Sequence, residues 1–121
     1  MSEQSDHLDE LSAEDAKLVT LARATRTRAR ASEGAAVRDL DGRTYAAASV
    51  RLQHLRLSAL DACVAMALSS GSTGLEAAVV LTDGEAPDLA AAGEFAGAGV
   101  PVLVGDPRGD LHTRLETPTG P

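Results

Sequence analysis

The stretch LEAAVVLTDGEAPDLAAAGEFAGAGVPVLVGD, residues 75–106, decides the fold. It opens on an apolar run, LEAAVVLTD (75–83), and closes on another, VPVLVGD (100–106). Runs this short and rich in Val and Leu, bounded by glycines, read as strands buried on both faces. Between them Pro87 is suited to the first position of a helix, expected to run to about Ala96, with Gly97 and Gly99 ending it. A strand, a short helix and a second strand favour parallel pairing with a right-handed crossover.

Working outward, "EGAAVRDLDGRTYAAASV" (33–50) carries Asp41-Gly42 between two strand candidates, about 35–39 and 43–50, which reads as a hairpin. A loop over 51–57 leads to a second helix over 59–69. Its start, "LRLSALDACVAM" (55–66), has Ser58 as the capping residue, and Gly71 and Gly74 follow its end. A first helix is expected over about 13–28. Ser12 is its cap, Glu14 and Asp15 lie in its first turn, and Arg23, Arg26, Arg28 and Arg30 gather towards its end, as the helix dipole favours. "PRGDLHTRL" (107–115) reads as a turn and then a short helix or an edge segment. The order α-β-β-α-β-α-β gives a three-layer α/β/α sandwich with one mixed sheet. The domain is expected over 12–116, with a flexible tail at 1–11 and a loose one at 117–121.

The bulk composition narrows function by exclusion. The chain has 121 residues, the size of one domain. Its hydrophobic fraction is 44%, but alanine supplies much of it and aromatics are 2%, so the core buries little area per residue and an oligomer interface would help it. The net charge of −7 disfavours nucleic acid, which needs a basic footprint. One cysteine excludes an internal disulfide and a cysteine-based zinc cage. The N-terminus is acidic and polar, unlike a secretory signal, and no run approaches the ~20 apolar residues that span a bilayer. A cytoplasmic protein is expected.

The strings "EGAAVRDLDGRTYAAASV", "SALDACVAMALSSGSTGLEAAVVLTD" and "PDLAAAGEFAGAGVPVLVGDPRGDLHTRLE", in that order, resemble the small cytidine deaminase family over roughly residues 13–116. The resemblance implies zinc at two helix starts, one with Cys or His, then Ala, then Glu, the other with Pro-Cys-x-x-Cys. The metal activates a water and the Glu shuttles protons. Residue by residue the site is degenerate. Ser58 stands at the first ligand position and Leu60 at the proton-shuttling one. Asp88 and Ala91 stand at the two cysteine positions. The family's nucleoside-contacting Asn-x-Glu falls on Ser49-Val50-Arg51. No catalytic residue, no metal ligand and no cofactor is therefore expected.

The remaining candidates are each weighed against a plainer role. Asp61 and Asp88 are a possible carboxylate pair, or first-turn acids each worth ~0.3–1 kcal/mol to a helix. His54 is a possible ligand, or a loop histidine; His7 and His112 sit in tail and turn. Cys63 is a displaced ligand or nucleophile, or a small core residue. Arg51 and Arg56 contact an anion or a partner, or are solvated. Arg23–Arg30 touch RNA or an acidic partner, or complement the helix end. Candidate ligand-binding residues are Ser49, Arg51, His54, Arg56, Ser58, Asp61 and Asp88. The leading expectation is a non-catalytic binding or scaffold module, a homo-oligomer (dimer or tetramer) with an unidentified protein partner and no membrane association. The second is a nucleoside or nucleotide sensor using the remnant pocket. The third is a zinc-dependent deaminase with an atypical site.

Overall fold

The computed structural model describes residues 11–119. The expected N-terminal tail, with His7, lies outside them apart from Leu11. Helix α1 (Ala13–Ala29) is followed by strands β1 (Glu33–Asp39) and β2 (Thr44–Ala48), then by two-residue strands β3 (Val50–Arg51) and β4 (Arg56–Leu57). Helix α2 (Ala59–Ser69), strand β5 (Leu75–Thr82), helix α3 (Ala90–Ala96) and strands β6 (Pro101–Gly105) and β7 (Leu111–Glu116) complete the order. Five strands form one sheet in the order β2-β1-β5-β6-β7. β5 and β6 are parallel, and the other three pairs are antiparallel, so the sheet is mixed as expected.

The period-2 alternation of side chains sorts the core into two layers. Ala35, Val37, Ala78, Val80, Val102 and Val104 face α2 and α3. Ala36, Ala77, Val79, Leu81 and Leu103 face α1, meeting Leu18 and Ala22. Central β5 therefore reads as a continuous apolar run, because both its faces are covered. Arg38 of β1 fastens α1 to the sheet, donating to Asp15 at 3.0 Å and to Glu76 at 2.6 Å. Gly34 sets how near α1 comes. A Cβ there would collide with the Ala22 carbonyl oxygen and lie 2.7 Å from Arg26 Cβ.

Local signals place the first two helices. Ser12 and Ser58 each accept a hydrogen bond, at 3.0 Å, from the backbone N–H three residues on, those of Asp15 and Asp61. Three sequence expectations are corrected. Helix α3 begins at Ala90 and not at Pro87, because Asp88 Oδ1 accepts the Ala90 N–H at 2.9 Å and closes a side-chain turn first. The expected 51–57 loop holds the β3–β4 hairpin, with Val50 opposite Leu57 and Arg51 opposite Arg56. Of the two readings open for 107–115, the structure takes the edge segment: after the "PRGD" turn the chain forms edge strand β7. Its residues 111, 113 and 115 are half-buried and their neighbours exposed, which is a strand period. The domain also runs past Glu116. Thr117 is buried, its hydroxyl donating to the Gly97 carbonyl at 2.6 Å and accepting the Val100 N–H at 2.9 Å.

Candidate functional site

A cleft of about 590 Å³ opens where β5 ends, β1 begins and α2 starts. Strand ends supply Ser32, Glu33, Thr82, Asp83 and Gly84. The β3–β4 hairpin supplies Val50, Arg51, Arg56 and Leu57, and Ser49 leads into it. Ser58 stands at the helix mouth. Ligand sites recur at such carboxyl ends of parallel strands.

Glu33 is the residue that sequence reasoning missed. It is the first residue of β1, half-buried, and its side chain reaches across the sheet end. Its Oε1 accepts the Ala59 N–H at 3.2 Å, and its Oε2 accepts the Thr82 hydroxyl at 3.3 Å. A carboxylate is well placed there, because the first N–H groups of a helix lack helical partners and carry its positive pole. Its own backbone N–H goes to Ser49 Oγ at 3.2 Å, which in turn lies 3.3 Å from Ser32 Oγ. The one sequence signal was a charged residue opening a buried run, "EGAAV".

The expected site residues part company. Ser58, Ser49, Arg51 and Arg56 do line the cleft. Ser58 Oγ caps its own helix by accepting the Asp61 N–H. Leu60 is 1% exposed and packs in the core between the sheet, α2 and α3, so it faces away from the cleft. Asp88 is exposed and caps its own turn, and Ala91 offers no donor atom. Asp61 stands in the first turn of α2 with Oδ1 buried and without a hydrogen-bond partner. Burial chiefly, then the charges of Asp88 and Glu33, raise its pKa above the ordinary aspartate value. His54 is exposed at the hairpin turn, away from the cleft lining. Cys63 is fully buried, its thiol 3.7 Å from the Tyr45 carbonyl oxygen and pushed up to about 12 by burial. His112 lies on β7 beside Thr113, 2.7 Å away, at a second hollow of about 130 Å³. Arg23 and Arg26 reach the carbonyls of Arg108 and Ala31, tying α1 to neighbouring loops.

This set of side chains does not fit a zinc ion. Among the described residues no three His, Cys, Asp or Glu side chains converge as ligands. Ser58 Oγ and Asp88 Oδ1 each accept a backbone N–H of their own chain segment. The cleft offers hydroxyls, two guanidiniums and two carboxylates, a set for binding polar groups. Its lining holds no histidine or cysteine, and its ionisable side chains are those of Glu33, Asp83, Arg51 and Arg56.

The family model described as cytidine deaminase-like matches residues 11–109. Among solved structures, a cytidine deaminase from Burkholderia pseudomallei is 21% identical with a TM-score of 0.73, over 88% of this chain and 94% of that one. A cytidine deaminase from Mycobacterium leprae is 20% identical with a TM-score of 0.64, over 84% of this chain and 94% of that one. At these identities the likeness is one of fold. No curated protein matches the chain.

Proposed function

The chain belongs to the cytidine deaminase-like family, and from that premise we propose that it is a non-catalytic member, a binding module that needs no cofactor. The observation that carries this reading is the mouth of α2. There Glu33 takes the Ala59 N–H, Ser58 Oγ caps the helix and Leu60 is sealed in the core. Hydrolytic deamination needs an activated water and a group that moves protons. The positions expected to supply them instead build packing and helix ends.

Metal analysis of the purified chain should find no stoichiometric zinc. Absorbance should show no conversion of cytidine to uridine, with or without added zinc. A full equivalent of zinc, or turnover, overturns the reading in favour of a deaminase with an atypical site.

The cleft favours a second reading, that the module binds a small polar molecule and acts as a sensor. Its volume lies within the range of ligand pockets, about 300–1,000 Å³. We also propose a cytoplasmic homo-oligomer. Leu52, Leu55, Met66 and Leu68 are exposed, the core is built largely of alanine and valine, and none of the described helices is long and apolar enough to cross a membrane. Light scattering that gives a monomer mass would remove the oligomer from this proposal.

A further inference from the structure

The β3–β4 hairpin is two residue pairs deep, and one of those pairs sets Arg51 directly opposite Arg56. Opposed residues of an antiparallel pair share a face, with Cβ atoms about 4.5–5.5 Å apart, and like charges so placed repel each other. Among the described residues no Asp or Glu forms a salt bridge with either arginine; the ion pairs belong to Arg38 and Arg108. Arg56 spends Nε on the Leu52 carbonyl at 3.3 Å, and its remaining donors have no side-chain partner among the described residues. Both arginines line the cleft. The pairing is conspicuous in a chain of net charge −7.

The cleft is also polarised. The hairpin contributes Arg51 and Arg56 to the lining, the strand ends contribute Glu33 and Asp83, and Ser32, Ser49 and Ser58 add hydroxyl-bearing residues. An anion is attracted to the arginines and repelled by the carboxylates. Two guanidinium forks and hydroxyl donors match the oxygens of a phosphate, which accepts several charge-assisted bonds at once. We propose that the cleft binds a small phosphate ester, its phosphate held between Arg51 and Arg56 and its hydrogen-bond-donating end turned towards Glu33 and Asp83. This rests on the reading of the chain as a non-catalytic small-molecule binder.

The test is calorimetric titration of the full chain at low salt with cytidine, cytidine 5′-monophosphate and ribose 5-phosphate. The monophosphate should bind at least about tenfold more tightly than cytidine, the loss expected for one charge-assisted contact set. That advantage should shrink as salt is added. It should also vanish in the double variant Arg51→Gln/Arg56→Gln, a melting temperature no lower than the parent's showing that the domain still folds. Ribose 5-phosphate matching the monophosphate supports the proposal and identifies a sugar phosphate as the source; weaker binding supports it and identifies a nucleotide. Equal affinity for cytidine and its monophosphate overturns it, as does an advantage that survives the double substitution or high salt. Absence of binding by both phosphate esters at millimolar concentration overturns it too. Production of uridine or its monophosphate during titration would instead overturn the non-catalytic reading, and the arginine variants would still decide the phosphate site.

Discussion

Glu33 Oε1 accepts the backbone N–H of Ala59 at 3.2 Å, so a side chain from the first strand closes the mouth of the second helix. The same carboxylate reaches Thr82 at the end of β5. One residue thus ties together the three elements that meet at the cleft, and its charge complements the helix pole.

Replacing Glu33 should therefore weaken the fold from the cleft side. Glu33→Ala leaves the Ala59 N–H and the Thr82 hydroxyl without this partner, and should cost about 1 kcal/mol. The cost stays near the low end because the substitution also relieves repulsion on Asp61. Glu33→Gln should cost about half as much, since the amide oxygen can still accept one bond. Urea midpoints measure both, and an unchanged midpoint in Glu33→Ala would show that the carboxylate does not hold the helix start.

Leu60→Glu should be far more damaging. The side chain is 1% exposed among the sheet, α2 and α3, with no cation there to meet a carboxylate. Loss of leucine packing and burial of an unpaired acid together should cost about 3 kcal/mol or more. Circular dichroism and urea unfolding read this directly. Ser58→Cys with Leu60→Glu should restore no deamination of cytidine, because the start of α3 still presents Asp88 and Ala91. A well-folded, active double variant would mean that Leu60 faces the cleft.

Two aspartates should respond to pH in opposite senses. Asp39 is buried; the Ser72 hydroxyl first, then the N–H groups of Arg43 and Asp41, hold its pKa below the ordinary value against the cost of burial. A carboxylate so depressed lends stability above the unfolded pKa of about 3.9, and that stability is lost as pH falls through the lower folded value. Asp39→Asn should thus be less stable than the parent at neutral pH, the difference closing in acid. Asp61 is raised, so its charged form burdens the fold above its folded pKa, and the burden lifts as pH falls towards the ordinary value. Asp61→Asn should be more stable at neutral pH, the gain fading towards about pH 4. Urea midpoints across pH check both, and a destabilised Asp61→Asn at neutral pH would contradict the assignment.

Cys63 should be inert while the chain is folded. Its thiol is fully buried and its pKa is pushed up to about 12, so almost no thiolate exists at pH 8. A thiol-reactive chromogenic disulfide should label it only in denaturant. Rapid labelling under native conditions would place the sulfur at the surface.

Much of the architecture was legible because its causes are local or periodic. Ser12 and Ser58 act three residues away along the chain, and both caps formed where the sequence placed them. The alternation in β1, β5 and β6 follows from strand geometry. The start of α3 was misplaced because Pro87 favours a helix start, yet Asp88 captured the Ala90 N–H before the helix could begin. The β3–β4 hairpin was hidden because two-residue strands are too short to show a period.

The amino-acid order by itself determined the caps, the two-faced central strand and the absence of cysteines from the expected ligand positions, since each depends on residue type and short spacing. Only the tertiary structure decided that Leu60 belongs to the core, that Arg51 faces Arg56 and that Glu33 guards the helix mouth. The physical reason is distance along the chain. Glu33 meets Ala59 across 26 positions and Thr82 across 49, contacts that exist only once the β1–β5 register is set.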